Sequence, residues 1–273
     1  MNICVIVFIY LIYSFNYYIT KFLISFFIFH AFCFIIKSYK KNPWTHLYQE
    51  AIIMKFKLKD PGSAITHGIA LLLALAGAVP LIIKAARSYD VIHIFALSVF
   101  ILTMILLYAA STIYHSVDST DKVNRRLRKM DHMMIFIMIA GSYTPVCLIV
   151  LHNHIGYILC SLVWGIAILG MILKGCWITC PKWLSSVLYI GMGWLCVLAF
   201  VPIFHALPRA GFDWLLAGGI IYTIGGVIYA LKLPIFNARH KNFGSHEIFH
   251  IFVMLGSACH FIVMYFFVAP LPV

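Results

Sequence analysis

The chain has 273 residues, of which 63% are hydrophobic and only 10% are charged, and its mean hydropathy is +0.99. Soluble domains are nearer half apolar and a quarter charged, so this composition excludes a soluble protein and predicts an all-α, polytopic membrane protein. The net charge of +12 fits cationic loops at a membrane surface, and we expect no nucleic acid partner.

The first part of the chain, residues 1–53, is a hydrophobic extension with two open interpretations. Residues 1–36 are rich in Phe, Ile and Tyr but lack the basic start and cleavage site of a signal peptide. They form either an extra N-terminal helix or upstream sequence translated from a mis-assigned start, because Met54 opens a plausible protein start, MKFKLKDPGSAITHG. We predict that residues 54–273 form one membrane domain.

Seven later segments are long and apolar enough to cross a bilayer, since a helix needs about 20 residues to span roughly 30 Å of hydrocarbon. These predicted spans are residues 62–83, 92–116, 131–151, 155–173, 184–205, 214–233 and 246–268. The connections between them, such as DSTDKVNRRLRK and KGCWITCPK, carry the charges and turn formers.

Positive charge is distributed unequally between the two sides of this predicted bundle. From Met54 on, thirteen Lys and Arg residues fall on one side and three on the other. Because cytoplasmic loops carry the excess of Lys and Arg, we predict a cell-membrane protein with the N-terminus of the seven-helix domain inside and the C-terminus outside.

Polar and ionisable side chains inside membrane helices are costly, so each one is a functional candidate. In the predicted topology these residues fall at one depth, near the cytoplasmic ends of spans 1, 2, 3 and 7, although they are far apart in sequence. They are His67 in ITHG, Ser111 and His115 in AASTIYHS, Asp131 and His132 in RKMDHMMIF, and His246, Glu247 and His250 in SHEIFH.

The histidines of SHEIFH indicate a metal site. His246 and His250 are about one helical turn apart, so they share a helix face and can both reach one ion. Three histidines with one open position form the ligand set of catalytic zinc, whose bound water has a pKa near 7. We expect Asp131 to orient a histidine or that water, and Ser111 to hydrogen-bond the water or a substrate carbonyl.

Other residues that bind metals elsewhere are assigned different roles. His260 lies about 15 Å beyond His250 along the helix, too far to join the site. The eight cysteines contain no C-x-x-C pair, so we expect small buried hydrophobes rather than a disulfide or zinc framework, with Cys176 and Cys180 as packing residues.

These motifs resemble the progestin and adipoQ receptor family, in particular its bacterial hemolysin III branch. The matching pieces are ITHG, the S-x-x-x-H of Ser111 and His115, KMD ending at Asp131 with GSYTP beyond it, and SHEIFHIFVMLGSACHF. The resemblance implies a seven-helix core with Zn²⁺ near the cytoplasmic face. It assigns the ligands to His115, His246 and His250, and supporting catalytic roles to Ser111 and Asp131.

The family belongs with a wider set of membrane hydrolases, including alkaline ceramidases, that share a Ser, an Asp and three His. This chain departs from the family pattern ahead of the first-span histidine, where members often carry Glu and Asn and this chain has Asp60 and Ser63. The departure leaves open any role for that corner, His67 included.

Four functions stay open. The favoured one is a zinc-dependent hydrolase of an amide or ester bond in a membrane lipid, acting in lipid homeostasis, with Asp131 moving protons. Two non-enzymatic alternatives are a sensor or receptor with a structural zinc and a cytolytic, hemolysin-like protein. The fourth, an intramembrane HExxH protease, would use Glu247 as general base, although an acid is favourable at any helix start.

Overall fold

The computed structural model describes residues 58–88, 90–231 and 244–272 of the chain. As predicted, these residues contain seven helices long and apolar enough to cross a membrane, and they contain no strand. The helices are α1 (Pro61–Ala86), α2 (Val91–Ser116), α3 (Asp121–Leu151), α4 (His154–Cys176), α5 (Lys182–Ala206), α6 (Arg209–Leu231) and α7 (Ser245–Val268). The predicted extension over residues 1–53 lies outside the described part.

Most helices begin or end within a few residues of the predicted spans, and α3 is the main exception. It begins at Asp121, ten residues before the predicted span, so the basic segment DKVNRRLRK belongs to the helix and is not a connection. Hydropathy detects only the part of a helix inside hydrocarbon, whereas Lys, Arg and Leu are good helix formers in water as well. Helix α3 therefore projects beyond the apolar region at this end.

Helix α5 is interrupted by a 3₁₀ segment, Trp194–Ala199. Pro202 follows it, and a proline has no N–H to donate and clashes with the carbonyl four residues earlier, so a regular α-helix cannot continue here. The hydroxyl of Tyr143 on α3 donates to the carbonyl of Gly193 at 2.5 Å and accepts from the N–H of Cys196 at 2.8 Å. One tyrosine thus satisfies two backbone groups that the irregular winding exposes inside the membrane.

Helices that are adjacent in sequence pack against one another, and α7 closes the bundle by packing on both α1 and α6. The α2–α3 contact is especially close, because a side chain at Gly141 would overlap Thr103. At one end of the bundle the N–H of Asp60 bonds to the carbonyl of His115 at 2.9 Å. We call this the histidine end, where the starts of α1 and α7 meet the end of α2.

Candidate metal centre

Three imidazoles converge at the histidine end. One ligand nitrogen from each of His115, His246 and His250 lies within 4.8 Å of the others. The Nε2 atoms of His115 and His246 are 3.3 Å apart, and the edge of a tetrahedron with Zn–N bonds of 2.0–2.1 Å is about 3.3 Å. The last turn of α2 and the first two turns of α7 therefore bring together a donor set that fits zinc.

The other ring nitrogens of two of these histidines are held by partners on α1 or just before it. Nδ1 of His115 lies 3.0 Å from a carboxylate oxygen of Asp60 and donates to it. Nδ1 of His250 lies 3.3 Å from the hydroxyl of Thr66, which itself donates to backbone carbonyls of α1 and so accepts from the ring. In both rings Nε2 is left with its lone pair, as metal binding requires.

His67 belongs to the same cluster without being one of the three converging side chains. Its ring stacks on His250 with the centroids 3.6 Å apart and the planes within 10°. It also meets the edge of Tyr108, with the centroids 5.1 Å apart. Neither ring nitrogen of this buried histidine has a hydrogen-bond partner among the described residues. The ring thus supports the orientation of His250 by stacking.

Ser111 and Asp131 are buried beside the three histidines. The Ser111 hydroxyl faces the Asp131 carboxyl without making a hydrogen bond of ordinary geometry. Asp131 also lies 3.5 Å from Nδ1 of His132, whose closer partner is the carbonyl of Arg128 at 2.9 Å. The carboxylate that contacts a converging histidine is therefore that of Asp60. Asp131 instead lines the neighbouring cavity.

A cavity of about 200 Å³ extends from this cluster along the inside of the bundle. Its lining on α7 runs from His246 to His260, which are fourteen residues apart, or about 21 Å along the helix. The near end is lined by His67, Ser111, Asp131, His132, His246 and His250, and the far end by Phe200, Ile203, Phe212 and His260. Most of the remaining lining is aliphatic or aromatic, so the cavity suits an extended hydrocarbon chain.

Glu247, the acid of the HEIFH motif, is occupied by structural hydrogen bonds. One carboxylate oxygen accepts from the Ser63 hydroxyl at 2.6 Å and the other from the N–H of Gly244 at 2.8 Å. The carboxylate therefore caps the N-terminus of α7 and ties it to α1.

Two supporting contacts, from Asp60 to His115 and from Thr66 to His250, were not predicted from the sequence. Asp60 precedes its helix, so helical periodicity says nothing about where its side chain points. The one available signal was that Asp60 is a position at which the chain departs from the family pattern. In the structure, the side chains between Asp60 and Thr66 are the partners of two candidate ligands and of Glu247.

We expect the Asp60→Asn variant to bind zinc about 10- to 100-fold more weakly, because an amide holds the Nδ1–H of His115 less strongly than a carboxylate does. Competition with a chromophoric chelator measures this affinity. Asp118→Asn is the matched control, since Asp118 is an exposed acid just beyond the end of α2, and its affinity should be unchanged. Wild-type affinity in Asp60→Asn would show that His115 needs no carboxylate partner.

Comparison with known proteins extends over the same seven-helix region. The family described as "Haemolysin-III related" matches residues 56–261. "Hemolysin-3" of Bacillus cereus is 37% identical over 217 residues, covering 79% of this chain and 94% of that protein. "Hemolysin-3 homolog" of Bacillus subtilis (strain 168) is 36% identical over 218 residues, covering 80% and 98%. The "Adiponectin receptor protein" of Drosophila melanogaster is 36% identical over 61 residues, covering 21% and 14%.

Proposed function

This chain belongs to the haemolysin-III-related family, the hemolysin III branch of the progestin and adipoQ receptor family, and from that premise we propose that it is a zinc-dependent hydrolase of an amide or ester bond in a membrane lipid. It is a multi-pass integral membrane protein. The observation that carries the proposal is a group of three convergent imidazoles, two of which, His246 and His250, line an apolar cavity.

The donor set supports a catalytic rather than a structural metal. Among the described residues only His115, His246 and His250 converge, and no fourth histidine, cysteine or carboxylate joins them. Structural zinc sites are usually closed by four protein ligands, whereas catalytic sites keep one position open. A zinc ion held by these three imidazoles would supply Lewis acidity toward a lipid carbonyl.

Two buried side chains beside the triad have the chemistry that hydrolysis needs. The Ser111 hydroxyl has no hydrogen-bond partner among the described residues and can donate to a substrate carbonyl oxygen. The Asp131 carboxyl lines the same part of the cavity and can take a proton from the attacking water and return it to the leaving group. The apolar wall beyond them excludes water and holds the acyl chain in line with these groups.

The shape and polarity of the cavity favour a lipid over a peptide substrate. A peptide would bring backbone N–H and C=O groups into an apolar space, where unpaired polar groups are costly. A hydrocarbon chain carries no such groups and gains from burial along the cavity. The same apolar lining offers no aqueous path for ions, which argues against a pore.

The variant Glu247→Gln separates the lipid hydrolase from an HExxH protease. We expect this variant to keep its zinc and most of its lipid hydrolysis, because Glu247 acts as a helix cap that glutamine replaces in part. A modest loss of stability, about 1 kcal/mol, is expected from the weaker cap. Zinc content and fatty acid release measured on the same preparation test this. Loss of all activity with zinc retained would instead point to Glu247 as a general base.

The proposal as a whole is tested by fatty acid release from a panel of amide- and ester-linked lipids in detergent micelles. Purified wild-type protein should release fatty acid from at least one lipid class, and His250→Ala should release none. Release that is equal in the two proteins, or absent from all lipids with zinc bound, would refute the hydrolase. In the second case the metal would only hold α2 and α7 together.

A further inference from the structure

A second polar cluster lies where α4 joins α5, apart from the three histidines. Lys174 is only 1% exposed, and its Nζ donates to Cys180 Sγ at 3.0 Å and to Ser185 Oγ at 2.5 Å. The sulfur and the Ser185 hydroxyl are 3.3 Å apart. Cys180 is buried, as predicted for a packing residue, and its sulfur is in addition a hydrogen-bond partner of Lys174. The same prediction is wrong for Cys176, which is exposed.

The charge of Lys174 needs an anion. Among the described residues its hydrogen-bond partners are one thiol and one hydroxyl, with no carboxylate. A buried ammonium without a counter-charge is strongly unfavourable, and of these two partners only the thiol ionises near neutral pH. The electrostatic surroundings therefore favour a negative sulfur.

The groups around Cys180 reinforce this charge distribution. The Lys129 ammonium donates to the carbonyl of Gly175, directly after Lys174. The charged and titratable groups of the neighbouring helices are Arg128, Lys129, Asp131 and His132 on α3, Lys182 and Tyr189 on α5, and Tyr229 on α6. The one carboxyl among them, Asp131, pairs with His132 and makes no hydrogen bond or ion pair with Lys174, so it does not take the place of the thiol.

Burial by itself would raise the pKa of the Cys180 thiol. The hydrogen bonds from Lys174 and Ser185, together with the positive charges of Lys174 and Arg128, outweigh it and hold that pKa below the ordinary value. Cys180 is 7% exposed, and Trp177 in the same connection between α4 and α5 is 48% exposed.

We propose that Lys174 and Cys180 form an ammonium–thiolate pair, and that Cys180 is a modification site for peroxides and other small electrophiles. With hydrogen peroxide, the thiolate attacks one oxygen, an S–O bond forms as the O–O bond breaks, and hydroxide leaves. The sulfur is oxidised by two electrons to a sulfenic acid, and the peroxide is reduced. The product is a neutral group, so Lys174 loses its counter-charge.

This site is coupled to the cavity through α5. Ser185, the second acceptor of Lys174, is followed by Ser186 and Tyr189, which line the cavity. Modification of Cys180 would therefore disturb the start of α5 and the cavity wall next to Asp131. Neither the metal nor lipid hydrolysis takes part in this modification.

Site-resolved alkylation of the full-length wild-type protein tests the proposal. Purified protein in micelles is treated with iodoacetamide between pH 5.5 and 9, and each cysteine is quantified by mass spectrometry. Cys176 is the internal control, because it is exposed, four residues away and outside the cluster. We expect Cys180 to react at lower pH values, at which Cys176 does not react, although Cys180 is less exposed than Cys176. A pH profile that coincides with that of Cys176, or reaction only after denaturation, would overturn the proposal.

Two variants identify the cation that is responsible. Lys174→Met should slow the alkylation of Cys180 at pH 7 about tenfold and shift its pH profile upward, whereas Lys174→Arg should restore it. Lys129→Met is the matched control, because it removes a neighbouring cation that does not contact the sulfur. Equal rates in Lys174→Met and wild type would overturn the proposal, and the wild-type profile decides the question if the methionine variant does not fold.

Discussion

The double variant His246→Ala, His250→Ala is expected to contain no zinc after purification, whereas the wild-type protein retains it. The two substitutions remove both ligands supplied by α7 and leave His115 alone, and a single imidazole in a membrane protein does not hold zinc against a chelating buffer. Elemental analysis of protein purified in parallel measures the difference. Fatty acid release should disappear together with the metal.

His260→Ala is the matched control for this experiment. His260 lies on the same helix and lines the same cavity, but about 21 Å from His246. This variant should keep the wild-type zinc content. Equal zinc in the double variant and the wild type would mean that the three histidines are not ligands, and would remove both the catalytic and the structural interpretation of the site.

The second large effect is expected from Asp131→Asn, which should lower the rate of lipid hydrolysis by about 10²- to 10⁴-fold while leaving the zinc content unchanged. An amide has nearly the same shape as the carboxyl but cannot accept and return a proton. Asp131 is 7% exposed at the cavity wall and lies outside the group of converging ligand atoms, so its loss should affect proton transfer more than metal binding.

Asp213→Asn serves as the control, because Asp213 is an exposed carboxylate that pairs with Arg209 at the far end of the bundle. Its activity should match the wild type. If Asp131→Asn lost zinc together with activity, Asp131 would be a fourth ligand and the site would be closed, as in a structural centre. If the variant kept full activity, proton transfer would have to be assigned to another group.

The membrane architecture and the approximate depth of the site could be predicted from the sequence. Hydropathy is a sum over single residues, and about 20 apolar residues must form a helix inside a bilayer, so seven spans follow without knowledge of packing. The i, i+4 spacing of His246 and His250 likewise follows from helical geometry alone. The topology placed His115, Asp131 and Ser111 at the same depth, and the structure brings all three to the same end of the bundle.

Which side chains touch was decided only by the tertiary structure. An apolar helix has no strong preference for its rotation about its own axis, so helical periodicity alone did not distinguish His67, His115 and His132, and only the family resemblance assigned His115. In the structure His115 converges on the pair, His67 stacks on His250, and His132 is turned to a backbone carbonyl. The contacts of Asp60 and Lys174 arise in the same way. Both residues lie at helix ends, where the chain path and not the helical repeat decides what a side chain reaches.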